Sequence, residues 1–494
     1  MRVKIVTLLL LSLLGALGAL LIVHGATPHR APAPPAVHAG SGEPAASAAG
    51  SASASAAGSS SAPPADAGPP KLIDRPLRVV ALGWDLGAAG VLANGGLDPA
   101  PNSDFSAAGV ETHIAVVDAM PVVEGALARG GGDKDGADIA LVPFSHFVAA
   151  TERLRALSPE AFFVIGWSRG REALLSSKEG LPAPDAKGEA KELKMVGSPG
   201  DPATFLGLFA LDAAGVPLTA VRLVGPETRS DDAILAAIDR DATPPDPARR
   251  FVLLTSADAS RLVPFVAVAQ HGLVDRSKKG LAVWARTWLD GMKKLGSDPP
   301  AAARQIAQAT GAPEPIALLK RLGQITPATL TDNARLAGLS GRGALTLDSL
   351  FQRSFRIWRA SGALATPAPD AAPVSTQVIA SLARSNPELI QTPTPRPAAN
   401  GSAADTARAM ITFRMPEGKF DEGELGANIA FFADVFERSA LRVAVNKGQN
   451  VDAAATKHLI DLVDERFDSA GGRVIPAKKA LPKVGASVEI LPAP

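Results

Sequence analysis

The chain has no cysteine and no tyrosine, and aromatic residues make up only 4% of its 494 positions. Without a thiol there is no disulfide, no thiolate metal site, no catalytic cysteine and no lipidated cysteine. An excess of either charge is missing too, since 50 Lys and Arg stand against 49 Asp and Glu. No basic stripe offsets the acids, so a nucleic-acid partner has no support. The 7 histidines are scattered, with no H-x-x-x-H or paired-carboxylate spacing, so no metal is expected. No P-loop is present, and "GGLDPAPNSDFSAAG" lacks the lysine of a phosphate cradle, so no cofactor is expected either.

What is present is a chain too long for one ordinary domain, 46% hydrophobic and 20% charged, hence globular over most of its length. Arg2 and Lys4 precede an uncharged, leucine-rich run from Ile5 to Val23. That run sits at the boundary between a secretory signal and a spanning helix of roughly 20 residues. Both alternatives export the rest of the chain, and the basic flank keeps the N-terminus cytoplasmic. Residues 1–26 are therefore a signal or an inner-membrane anchor, and the remainder is expected in the periplasm.

Residues 27–74 are Ala, Ser, Pro and Gly with almost no large apolar side chain, which predicts a disordered linker. From 75 to 365 strand-like runs alternate with helical spacing. "LRVVAL", "THIAVV", "ADIALV", "AFFVIG", "LKMVG" and "RRFVLLT" are short apolar runs of the kind buried in an α/β sheet. "MPVVEGALARG", "SHFVAATERLRAL", "PATFLGLFALDAAG" and "DDAILAAIDRD" carry helical spacing, and after residue 262 helices replace strands. Residues 366–403 are a proline-rich linker with one helical patch, and residues 404–494 read as a small βαβαβ, α+β domain.

One corner, "LKMVGSPGDPATFLG", turns from a strand into a helix and leaves backbone N–H groups free at the helix start. Ser198, Asp201 and Thr204 sit there, either around a ligand or simply as helix caps. A second candidate is "GWSRG", which fits the nucleophile elbow of a serine hydrolase, with Ser168 as nucleophile, Asp258 as acid and His271 as base. His271 lies only 13 residues past Asp258, and Arg171 and Glu172 are bulky where an elbow helix must pack tightly.

The series "DIALVPFSHFVAATE", "AFFVIGWSRGREALLSS", "LKMVGSPGDPATFLGLFALDAAGVPLTAVRLV" and "FVLLTSADASRLVP" resembles the nitrate/sulfonate/taurine-type substrate-binding proteins of ABC importers. The resemblance implies an α/β, two-lobed periplasmic-binding-protein-like module with two crossings, a small solute between the lobes, an ABC permease as partner and no catalysis. Mapped onto this chain, it puts Trp84, Asp85, Ser145, Ser168, Arg169, Ser198, Asp201, Thr204, Ser256 and Asp258 at the cleft. Arg169 suits an anionic ligand, while Asp85 and Asp258 keep a cationic or zwitterionic one open.

The last module, with "MITFRMPEGKFDEGELGANIAFFADVFERSALRVAV" and "VGASVEILP", resembles the outer-membrane-protein-A-like, peptidoglycan-associating domain. It departs from that family at its binding motifs, reading "NKGQNVD" and "ATKHLIDLVDE", with Asp452 and Lys457 the nearest counterparts of the gripping residues. Peptidoglycan through this domain and the membrane through the N-terminus complete the expected partners. The alternatives to solute binding are the serine hydrolase and a structural envelope protein without ligand.

Overall fold

The computed structural model describes residues 72–182, 190–242, 246–311, 314–341, 343–391, 407–413, 422–446, 453–469, 473–476 and 485–492. The Ile5–Val23 run and nearly all of the 27–74 segment lie outside them, as does Asp452. No helix among the described residues is long and apolar enough to cross a membrane.

The first lobe begins with β1 (Leu77–Leu82), β2 (Thr112–Val117), β3 (Ile139–Pro143) and β4 (Pro159–Ser168). The chain then crosses to β5 (Glu172–Ser176), β6 (Leu193–Val196), β7 (Val221–Val224), β8 (Leu235–Asp239) and β9 (Phe251–Thr255). It crosses back into β10 (Pro264–Gln270) and a short β11 (Ile325–Pro327). The first sheet has the order β11-β4-β10-β3-β1-β2 and the second the order β7-β6-β8-β5-β9. Parallel pairing of β1 with β2 and β3 is matched by parallel pairing of β6 with β7 and β8. In each sheet one antiparallel strand is inserted beyond that triplet, β10 in the first and β5 in the second. Each inserted strand is the one that enters directly from a crossing, so the lobes exchange strands through two connections. The fold is α/β and two-lobed, followed by a further small domain.

Strands β3 and β5 are buried at every residue; β3 reads as an unbroken apolar run, while β5 carries Glu172 and Ser176 at its ends. Behind the first sheet the Trp84–Asn94 helix packs on the Lys278–Ser297 helix, which buries Trp284 and Trp288 completely. Glycine permits that approach: a Cβ on Gly291 would lie 2.2 Å from the Ala89 carbonyl oxygen, and one on Gly90 would lie 2.4 Å from the Trp288 ring. The free edge of β4 is closed by side-chain and loop groups. The Asn333 amide donates to Val164 O (2.9 Å) and accepts from Val164 N–H (2.8 Å), and Ala161 exchanges bonds with the 373–375 segment.

Two sequence expectations fail here. "DDAILAAIDRD" contains β8, not a helix, and β10 lies beyond residue 262, where helices were expected to take over. Both are alanine-bearing segments buried inside a sheet, where burial outweighs the helical preference of alanine.

The C-terminal domain runs β12 (Ala409–Phe413), a helix Glu422–Val435, β13 (Ala440–Asn446), a helix Ala453–Ser469, β14 (Arg473–Pro476) and β15 (Gly485–Ile490). Its sheet order is β12-β15-β13-β14, so β14 is a strand added to the expected βαβαβ course. This domain shares one apolar core with the second lobe. Phe209 of the Pro202–Ala213 helix stacks near Phe432 and Phe436, with ring centroids 5.6 and 6.3 Å away. At the return crossing Ser439 Oγ donates to Asp258 O (2.8 Å), and Arg261 N–H donates to Val435 O (3.2 Å).

Candidate functional site

A cavity of about 280 Å³ lies between the lobes. Its first-lobe wall is the exit of β1 and β3, with Leu82, Gly83, Pro143 and His146, and Asp118 at the rim. Its second-lobe wall is Asp201 and Pro202, at the start of their helix, and Asp239 at the end of β8. Arg171 and Glu172 enter from the first crossing, and Arg321 from the Pro315–Leu322 helix. Clefts outside the carboxyl ends of parallel strands are where open α/β sheets hold ligands, because loops there vary freely and helix starts point inward.

The charged groups are arranged around Asp85. Gly83 adopts φ +91° and opens the Trp84–Asn94 helix without a side-chain cap, so the Asp85 carboxylate in the first turn is not used as a cap. A Cβ at Gly83 would lie 2.6 Å from Asp85 Oδ1, which makes glycine obligatory for this turn. Asp85 Oδ2 instead accepts from Arg171 Nη1 (3.0 Å) and Arg321 Nε (3.2 Å). Arg171 Nε also donates to Asp239 Oδ2 at 2.6 Å. Asp85, Arg171 and Asp239 thus form a continuous charge chain from one lobe to the other, joined by a second inter-lobe pair, Lys320 with Asp241 at 3.0 Å.

Protonation follows burial and pairing. Burial disfavours the charge of Arg171, but Asp85, Asp239 and Glu172 outweigh it and hold its pKa above the ordinary value. Burial also acts on Asp239, and there the charge of Arg171 and its hydrogen bond win, holding the carboxyl below the usual range. Burial pushes Glu172 and Asp201 up. It pushes His146 down to about 4, with Arg153 and Arg171 adding to the effect, so the imidazole is neutral at pH 7.

Of the expected cleft residues, Asp201 lines the cavity, while Asp85 is linked to it through Arg171 and Arg321. Asp201 caps its helix through a bond from Thr204 N–H (3.0 Å), and Thr204 is wholly buried with its hydroxyl on Asp201 (3.2 Å) and on Ser198 N–H (2.9 Å). Ser198 itself is exposed. Trp84 is half-buried beside Arg321, 5.9 Å from its guanidinium, and does not line the cavity. Ser145 is buried behind the wall, and its hydroxyl has no partner among the described residues. Arg169 points outward and is exposed. Asp258 is buried at the return crossing, where it accepts from Thr255 N–H (2.8 Å) and Thr255 Oγ1 (2.6 Å), away from the cavity.

Ser168 closes β4 and donates to the Glu172 carboxylate, and its Oγ lies 3.2 Å from Ser256 Oγ, which accepts from Gly170 N–H at 2.8 Å. The knot ties the two crossings together. It also removes the hydrolase geometry: "REALLS" continues into strand β5 instead of a helix, so no nucleophile elbow forms. His271 bonds Glu160 at 2.8 Å, near the far end of β4. The residues that sequence reasoning missed are Arg171, Asp239, Arg321 and His146. The available signal was a charged pair, Arg171 and Glu172, at the mouth of an otherwise apolar strand.

No protein-family model matches the sequence, and no curated protein sequence matches it. Solved structures do match at low identity. The periplasmic aliphatic sulphonate binding protein SsuA from Escherichia coli is 15% identical with TM-score 0.39, covering 70% of this chain and 98% of that one. The ligand-binding component of an ABC-type import system from Staphylococcus aureus is 10% identical with TM-score 0.41, covering 63% of this chain and 100% of that one. The alkanesulfonate-binding protein SsuA from Xanthomonas axonopodis is 14% identical with TM-score 0.36, covering 59% and 94%. The two-lobed assignment rests on strand order and not on these superpositions.

Proposed function

We propose that the chain is an exported solute-binding protein that holds a small cationic or zwitterionic solute between its lobes. The observation that supports this most directly is the 280 Å³ cavity at the strand ends, lined by polar side chains from both lobes and from the first crossing. Its charge balance decides against a simple anion. Both arginines that line it are already paired with Asp85 and Asp239, His146 is neutral, and Asp118 and Asp201 add further carboxyl groups. An anion would have to break those pairs in a poorly solvated space, whereas an ammonium group meets carboxyl groups without doing so.

In this reading the Ile5–Val23 run holds the lobes on the periplasmic side of the inner membrane, and the C-terminal domain faces the cell wall, with peptidoglycan as its ligand. A free shuttle to a permease must open and close readily. The contacts of the C-terminal domain with the return crossing oppose that motion and favour a role in envelope sensing. A second reading, a structural module without ligand, is supported by the Asp85–Arg171–Asp239 chain, which joins the lobes on its own.

Thermal-shift measurements on the full-length chain against amines, amino acids, sulfonates and carboxylates test the proposal. Stabilisation by amine-bearing solutes, weakened in Asp118→Asn, is the expected result. A flat response across the whole panel overturns it in favour of the structural reading.

A further inference from the structure

Beside the polar cavity lies a second one of about 200 Å³, on the first lobe between the Trp84–Asn94, Lys278–Ser297 and Pro315–Leu322 helices and open to the surface at Gly296 and Pro299. Its walls are apolar, with Ala89, Trp288, Met292, Leu295, Leu319 and Leu322 among them. Two residues, Leu86 and Phe265, line both cavities. The two spaces are therefore neighbours across an apolar partition formed by Leu86 and Phe265.

The size is sufficient for a real occupant, since a dry apolar cavity of about 150 Å³ accepts benzene. Nothing polar is needed to fill it, and water gains little there because the lining offers few partners. Trp288 and Met292 give the wall a polarizable, adaptable surface suited to chains or rings. A solute whose head sits among the carboxyl groups of the polar cavity has an apolar compartment directly behind it, reached past Leu86 and Phe265.

We propose that the solute is an amphiphilic amine, its ammonium head held in the polar cavity and an apolar tail of about six carbons or one small ring lodged in the second cavity. This rests on the solute-binding reading above and names the ligand class for that site. The tail supplies affinity by leaving water, and the head supplies selection against carboxylates and sulfonates of the same length. Asp85 lines the apolar cavity and is paired with Arg171 and Arg321 of the polar one.

The test is isothermal titration of the full-length chain with n-alkylammonium ions from ethyl to octyl, beside alkanecarboxylates of the same lengths. Affinity for the ammonium series should rise about fourfold per methylene and level off once the cavity is full. Tryptophan fluorescence should change only with the longer members, as Trp288 is reached. Ala89→Phe, which fills the second cavity, should abolish the length dependence while leaving ethylammonium binding unchanged. Leu319→Ala, which enlarges the same space, should move the plateau to longer chains and covers the case in which the phenylalanine variant does not fold. Ammonium binding that is independent of chain length overturns the amphiphile and leaves the solute reading standing. Preference for the carboxylates overturns the assigned head charge. Absence of binding in both series overturns this proposal together with the solute reading.

Discussion

Asp85 and Arg171 meet 3.0 Å apart across the mouth of the cleft, and the carboxylate side chain is only 1% exposed. Arg171 is shared with Asp239 of the other lobe, so this contact is one of two ion-pair links between the lobes, beside Lys320 with Asp241. Asp85→Ala leaves Arg171 and Arg321 without their common partner in a poorly solvated space. A loss of about 2–4 kcal/mol in unfolding free energy is expected, since breaking a buried pair strands its partner. The same variant should swing the lobes apart, read as an increased radius of gyration in solution scattering. Retention of both stability and dimensions would show that the charge chain joins nothing.

The neutral state of His146 carries a pH signature. Its folded pKa of about 4 lies below the ordinary 6.5, so the folded chain prefers the uncharged ring. The corresponding stability is fully present above about pH 6.5 and is lost as pH falls toward 4. The full conversion is discounted because the side chain is half-buried and in reach of solvent, leaving roughly 1–2 kcal/mol. Glu172 and Asp201 are pushed up by burial and act in the opposite sense, destabilising as pH rises. The quantity to measure is therefore the difference in Tm between the parent chain and His146→Gln from pH 4 to 8. The gap should narrow on acidification, and a constant gap would refute the assignment.

Ser168 shows how far a motif can be read without its context. "GWSRG" satisfies a nucleophile pattern, yet its serine is 1% exposed and hydrogen-bonded to Glu172 in the polar knot between the crossings. A fluorophosphonate probe should leave the chain unlabelled. Ser168→Ala should cost about 1–3 kcal/mol through the loss of a partner for the buried Glu172 carboxyl. Stoichiometric labelling at Ser168 would restore the hydrolase.

Much of the fold was legible because buried parallel strands announce themselves. "LRVVAL" and "THIAVV" coincide with β1 and β2 residue for residue, and "REALLSS" behaves as a strand leading away from a crossing. The strands that escaped, β8 and β10, are alanine-bearing and central, so neither composition nor period separates them from helix. The site was less legible for a different reason. Hydroxyl and capping residues such as Ser198 and Thr204 stand out at corners in sequence, but they are consumed by the corner itself. Arg171, Asp239 and Arg321 come from distant elements, and only the tertiary fold brings both arginines to Asp85 and Asp239 to Arg171.

The C-terminal domain is seated on the second lobe and on the return crossing. Phe432 packs on Phe209 of the second lobe, while Arg353 of the Leu347–Ala360 helix lies over the Phe431 and Phe432 rings at 4.5 and 4.7 Å and bonds Asn428. Burial lowers the Arg353 pKa to about 10, with Arg356 adding and Asp212 opposing, so it remains charged and the cation–ring contacts persist at neutral pH. Arg261 at the return crossing is held by Glu437 (2.8 Å) from the same domain and by Asp332 (3.0 Å) from the first-lobe side. Opening the lobes must bend residues 255–264, the segment these contacts hold. Phe432→Ala should cost about 3–5 kcal/mol at this junction, and Arg353→Ala about 1–2 kcal/mol. Both should accelerate amide hydrogen exchange in the 255–264 crossing, beyond the C-terminal domain itself. Exchange that rises in the C-terminal domain alone would mean the domain is a passenger, and the crossing would then move freely without it.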